Sequence, residues 1–201
     1  MTICLPHDLI WIKPKEDFFL NFPEWAKVEW NPTLPLIVRR DYDKQGLIPA
    51  GIRGHQRGHR HPVFIDRDCI TKILTPEAVL SYLDTVSFQE HPTVRALKKL
   101  RSFFWPFQWG VGGSCGYSLA TGQMWMRPNS DLDLIVRAPK RLERSEFDQW
   151  TKACQELGCR ADTQVQTPTG GFALNEWLEH ERVLVKTNHC PILLNDPWST
   201  V

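Results

Sequence analysis

Apolar residues along the first third of the chain come in short runs separated by turn residues: Leu9–Ile12, Leu36–Val38, Leu47–Ile48 and Val63–Ile65. Runs of this length read as strands, so residues 1–86 are predicted to form a small β-rich domain, with a helix near Pro76–Leu83. The period then changes. Val94, Leu97, Leu100 and Phe103 follow Pro92 at helical spacing and predict a helix over Pro92–Phe104. Arg95, Lys98, Lys99 and Arg101 lie off its apolar stripe. Phe107–Val111 reads as a short strand entering a glycine loop, and the β-branched run Ser130–Val136 as a buried strand. Ser145–Asp148 reads as a capping box opening a helix whose apolar face is Phe147, Trp150, Cys154 and Leu157, ended by Gly158. Ala161–Gln166 alternates as a strand with Asp162, Gln164 and Gln166 on one side. A short helix over Gly171–Glu179 and a last strand over Arg182–Thr187 complete the second part, residues 87–201. The whole predicts an α+β fold: the β-rich domain, then a mixed sheet with flanking helices.

Two carboxylates interrupt the buried strand. Asp131 and Asp133 leave a strand on one face, about 7 Å apart at Cα. Burial penalises both charges, and a bound cation compensates them, although an Asp-x-Asp at a strand start also serves as an ordinary solvated edge. The preceding Gly112-Gly113-Ser114 shifts the reading toward chemistry. Backbone amides bare of side chains approach phosphate oxygens closely, and the serine hydroxyl adds a donor. A glycine-serine phosphate loop followed by an Asp-x-Asp strand is the working core of the nucleotidyltransferase superfamily.

The connecting residues narrow the match. Gly113-Ser-Cys-Gly-Tyr-Ser-Leu-Ala-Thr-Gly122 and Arg127-Pro-Asn-Ser-Asp-Leu-Asp-Leu134 resemble the phosphoribosyl-dephospho-coenzyme A transferases of malonate decarboxylase, also called its holo-acyl-carrier-protein synthases (the MdcG family). Pro6–Trp11, Pro35–Arg40, Gly51–Arg57 and Thr167–Trp177 extend the resemblance over most of the chain. It implies a nucleotidyltransferase-like palm in the second part. It also implies the reaction: the phosphoribosyl-dephospho-CoA group moves from a triphosphoribosyl-dephospho-CoA donor to a serine of the apo acyl-carrier subunit, releasing pyrophosphate. Mg²⁺ is then the expected cofactor, held by Asp131 and Asp133.

Further site residues follow from position. Asp162 falls on the next strand and is the choice for a third carboxylate, with Glu176 as runner-up. Gly113 and Ser114 would cradle the leaving diphosphate. Arg39, Arg40, Arg53, Arg57 and Lys186 would neutralise the remaining phosphates, since arginine forks match phosphate oxygens in pairs. The segment Gly51–His61, rich in arginine, histidine and glycine, otherwise reads as a solvated basic loop. Its histidines come with no carboxylate or cysteine at metal-binding spacing. The basic side of the Pro92 helix is either a solvated face or a dock for an acidic carrier protein.

Composition mainly excludes. A net charge of +1 argues against a nucleic-acid coat. No run is long enough to span a bilayer and no leader-like segment opens the chain, so cytoplasmic residence is expected. The six cysteines lack C-x-x-C spacing and read as reduced, mostly buried thiols, with a structural role for Cys115. Two rival readings stay open: a general nucleotidyltransferase using a nucleoside triphosphate, and a carrier-protein binding module that has lost catalysis.

Overall fold

The computed structural model describes residues 3–199, which form two compact units divided between Thr75 and Pro76. The sequence reading places the change near residue 86. The helix at Pro76 packs within the second unit.

The first unit is a five-stranded antiparallel sheet in the order β4-β3-β2-β1-β5, made of β1 (Leu9–Ile12), β2 (Leu36–Val38), β3 (Ile48–Arg53), β4 (Arg60–Ile65) and β5 (Ile70–Leu74). Ile48, Ala50 and Ile52 of β3 are buried, while Pro49, Gly51 and Arg53 between them are half-buried. That is the two-residue period of a strand with one face in a core. β5 was not foreseen. It is an edge strand in which only Leu74 is buried, and Thr71 and Lys72 break its apolar pattern.

The Gly51–His61 segment is a β-hairpin, not a free loop. Its ends belong to β3 and β4, and the Gly54 amide bonds the His59 carbonyl at 2.9 Å. Helix α1 (Glu24–Glu29) supplies what the local sequence lacked, a carboxylate. Glu29 accepts from the His55 amide at 2.6 Å and meets His59 Nδ1 at 2.9 Å, while Trp25 stacks on the His59 ring. Burial alone would raise the Glu29 carboxyl, but these bonds outweigh it and hold it below its ordinary value. His61 packs edge-on against Phe22, and burial lowers its pKa.

The second unit is a six-stranded sheet in the order β11-β10-β9-β8-β7-β6. Its strands are β6 (Trp109–Val111), β7 (Leu132–Arg137), β8 (Ala161–Gln166), β9 (Gly171–Ala173), β10 (Val183–Lys186) and β11 (Pro191–Leu194). All pairings are antiparallel except β7 with β8, which needs a crossover connection. Helix α5 (Asp148–Gln155) makes it, and its buried Trp150 donates to Thr163 Oγ1 of β8 at 3.0 Å. The remaining helices are α2 (Pro76–Val79), α3 (Pro92–Arg101), α4 (Gly113–Thr121) and α6 (Leu174–Glu179).

Tryptophan abundance is explained by packing. Trp105 and Trp150 lie 4.4 Å apart, and Phe172, Trp177 and Trp198 form a second edge-on cluster. Four predicted details are corrected. The loop after β6 is replaced by α4 within one residue. The predicted Gly171–Glu179 helix is a strand through Ala173 and a helix only from Leu174. The capping box pairs Glu143 with Glu146, one turn before α5. The strand over Arg182–Thr187 is not the last, because β11 follows it. Among the described residues, no helix is long and apolar enough to cross a membrane.

Candidate active site

The site grows from the β6–α4 junction. Gly112 is the N-cap of α4, and its amide bonds the Asp133 carbonyl of β7 at 2.9 Å. Gly113, the first helical residue, has φ +57°, a left-handed conformation that side chains resist. A Cβ built there would fall 1.7 Å from Asp133 Oδ2 and 2.5 Å from its Cγ. The glycine is thus required twice, by its backbone and by the carboxylate pressed against it. Gly116 serves the same junction, since a Cβ there would fall 2.5 Å from the Val111 carbonyl oxygen. The amides of Gly113, Ser114 and Cys115 have no carbonyl partner within the helix, and they mark its positive end.

Register supplies the second strand. β7 and β8 run parallel with Asp133 opposite Asp162, so the two side chains share a face. Asp162 is engaged: Arg160 reaches its Oδ1 through Nε at 3.3 Å and its Oδ2 through Nη2 at 3.2 Å. Asp131 lies just before β7, half-buried, next to the Leu132 amide that bonds the Arg160 carbonyl. The turn leading to it is braced from α3. Buried Thr93 donates to the Ser130 carbonyl at 3.1 Å, and His91 Nε2 meets the Arg127 carbonyl at 3.1 Å.

Among the described residues, no group of three or more His, Cys, Asp or Glu side chains converges to hold a metal ion. The donor chemistry nevertheless fits Mg²⁺, which takes one or two carboxylates and fills its shell with substrate phosphates and water. Asp131 and Asp133 are such a pair of hard-oxygen donors. The Gly113 cradle leaves no side chain between the start of α4 and the Asp133 carboxylate. Cys115 is buried beside these groups. Desolvation, and after it the Asp133 charge, pushes its thiol up to about 12, which makes it a poor nucleophile.

The other predicted residues lie apart from this cluster or in the first unit. Lys186 ends β10 and pairs with Gly171, which pairs with Gln166 at the far end of β8. Four residues and two strand spacings separate it from Asp162, roughly 16 Å, so the sheet does not bring Lys186 to the carboxylates. Glu176 accepts from the Leu184 amide at 3.0 Å, a bond that ties α6 to β10. In the first unit, Arg39 follows β2, Arg40 is half-buried next to it, Arg53 ends β3 opposite Arg60, and Arg57 is exposed at the hairpin tip. Arg160 escaped the sequence reading. Its spacing of two from Asp162 was the available signal, since such residues share a strand face.

Comparison with known proteins identifies the family of both units. The phosphoribosyl-dephospho-CoA transferase MdcG N-terminal domain matches residues 5–76, and the corresponding C-terminal domain matches residues 79–197. A phosphoribosyl-dephospho-CoA transferase of Klebsiella pneumoniae (strain 342) is 40% identical over 195 residues, spanning 96% of this chain and 95% of the relative. Proteins of the same name from Pseudomonas fluorescens (strain Pf0-1) and Azotobacter vinelandii (strain DJ) are 35% and 34% identical. They cover 97% and 98% of this chain, and 95% of each relative. No solved structure matches.

Proposed function

The chain belongs to the phosphoribosyl-dephospho-CoA transferase family, and from that membership we propose a reaction and a division of labour among its residues. The donor is the 5-triphosphoribosyl derivative of dephospho-CoA. The acceptor is a serine of the apo acyl-carrier subunit of malonate decarboxylase. The serine oxygen forms a bond to the phosphorus attached to the ribose. The bond from that phosphorus to the bridging oxygen breaks, and pyrophosphate leaves. The serine proton passes to solvent or to a carboxylate within hydrogen-bond reach.

The observation that carries this reading is the junction of Gly113 with Asp133. A helix N-terminus and a carboxylate meet there with no side chain between them. The amides of Gly113 and Ser114 hold the leaving diphosphate, as helix N-termini hold anions generally. Asp131 and Asp133 would hold Mg²⁺, which would supply positive charge to neutralise that developing on the phosphoryl and leaving oxygens. Asp162, tied to Arg160, orients the incoming serine. Arg95 and Lys98 of α3 face the acidic carrier. Lys99 and Arg101 are already engaged, by the Glu156 carbonyl at 2.6 Å and by Asp84 at 2.8 and 3.0 Å.

The test is mass spectrometry of the apo carrier incubated with the protein, Mg²⁺ and the donor. The carrier should gain the mass of the phosphoribosyl-dephospho-CoA group with the wild type. Asp131→Asn and Asp133→Asn should each abolish the gain while leaving the melting temperature near wild type. Near-normal transfer by either variant would remove the metal assignment. An unmodified carrier with intact donor would remove the reaction.

A further inference from the structure

The second sheet buries one face across β8–β11 and leaves much of the other open. Thr163, Val165, Phe172, Val183 and Val185 are buried on the first face. On the second, Gln164 is half-buried and Ala173, Leu184 and Leu193 are exposed. Gln164 lies opposite Ala173, and Leu184 opposite Leu193. Gly171 and Lys186, two residues from Ala173 and from Leu184, pair with one another, which puts both pairs on one surface. Asp162 belongs to that surface too. It is two residues before Gln164 on β8, so the two stand about 7 Å apart at Cα. The open face therefore begins at the candidate active site.

Its chemistry suits a purine. Ala173, Leu184 and Leu193 make an apolar shelf, and the small side chain of Ala173 lets a flat ring lie close to the strand. At the inner edge of the shelf, the Gln164 amide has no hydrogen-bond partner among the described residues. An amide offers an acceptor and a donor in one plane, the complement of the N6 amino group and N7 of adenine. Of the side chains on the shelf and beside it only Lys186 is cationic, which gives an acidic protein little to meet. In the donor, the phosphoribosyl ring and the adenosine ribose separate the reacting phosphorus from the adenine, so the base lies beyond the carboxylates, on the side where Gln164 stands. We propose that Gln164 reads the donor's adenine: its carbonyl accepts from the N6 amino group, its amide nitrogen donates to N7, and the ring lies on Ala173. The proposal rests on the transferase reading for the donor's identity and uses residues of the second unit alone.

The experiment is calorimetric titration of the full chain with 3′-dephospho-CoA and with its hypoxanthine analogue, in which an oxo group replaces the N6 amino group. Both edge atoms of hypoxanthine accept, so whichever way the Gln164 amide turns, one bond is lost. The wild type should bind the adenine form at least about tenfold more tightly. Gln164→Met keeps the length of the side chain and removes its amide. It should bind the two forms within about threefold of each other, and so should Gln164→Ala. Should Gln164→Ala fail to fold, Gln164→Met, which retains the stem, decides alone. No binding of dephospho-CoA by the wild type, no preference between the two forms, or a preference that survives in the folded variants overturns the proposal. Carrier modification, followed by mass spectrometry, keeps the two readings apart. If no carrier is modified yet the preference is present in the wild type and lost in the variants, the reaction falls and the role of Gln164 stands. If the wild type modifies the carrier while the preference is absent or unchanged in the variants, the role of Gln164 alone falls.

Discussion

Substituting alanine at Gly113 and at Gly122 separates a catalytic requirement from a backbone one. Both glycines have positive φ, +57° and +68°, at opposite ends of α4. Each alanine therefore pays a left-handed penalty of about 1–2 kcal/mol, which lowers Tm by roughly 3–8 °C for a unit of this size. There the likeness ends. A Cβ at Gly122 meets nothing within 4 Å, whereas one at Gly113 would stand 1.7 Å from Asp133 Oδ2. Real Cβ contacts essentially never come under 3.0 Å. The carboxylate must then retreat by the difference, 3.0 − 1.7 = 1.3 Å. A 1 Å misplacement of a reacting constellation costs on the order of 100-fold in rate. Gly113→Ala should thus lose at least about 100-fold in carrier modification, measured by intact-mass time courses. Gly122→Ala should stay within about threefold of wild type at a similar Tm loss. Equal rates for the two alanines would refute the argument, because the clash would then have no chemical consequence.

Three further outcomes follow from the same coordinates. Gly110→Ala places a Cβ 2.2 Å from the Pro76 carbonyl carbon and 2.3 Å from the Glu77 amide nitrogen. Backbone cannot rotate away, so urea unfolding should show a loss of about 3 kcal/mol or more, while Gly58→Ala, with open space, should be near neutral. Burial pushes the Cys115 and Cys154 thiols up to about 12, so iodoacetamide at pH 8 should label exposed Cys190 well before either; equal labelling rates in the folded protein would contradict this packing. His61 has its pKa lowered by burial, so its contribution to stability is full above the unfolded value near 6.5 and is lost as pH falls through the folded value. Melting from pH 8 to 5 should therefore slope less in His61→Phe than in wild type, and parallel curves would exclude the residue as the source.

Much of the second sheet is legible because its strands carry their own pattern. Leu132, Leu134, Ile135 and Val136 are all buried, and a run of that kind reads as a central strand. The position of Asp162 beside Asp133 is legible for a different reason: a strand, a helix and another strand of suitable length imply a parallel pair. What stays hidden is short or depends on distant partners. α4 contains glycines at three of its first five positions counting the cap, and glycine argues against helix. It forms because Gly113 and Gly116 permit close approach to Asp133 and Val111, contacts that local propensity does not register. The hairpin over Gly51–His61 is likewise secured by Glu29, more than twenty residues earlier.

Arg160 shows how the structure narrows the role open to Asp162. Three carboxylates on one end of two adjacent strands suggest three equivalent metal ligands. A guanidinium beside both oxygens of Asp162 sets it apart from the other two carboxylates, since Arg160 takes up part of its acceptor capacity. In the proposed site Asp131, just before β7, and Asp133 on it would be the pair left for the metal, and a cation held by two protein carboxylates would have most of its shell open to phosphate oxygens and water. A site of that kind is completed by its substrate. It is consistent with the absence of a three-ligand cluster among the described residues. On the proposed reading the cation would lie where the start of α4 and the leaving diphosphate meet, which would join the glycine junction, the paired aspartates and the Arg160-bound Asp162 in one arrangement.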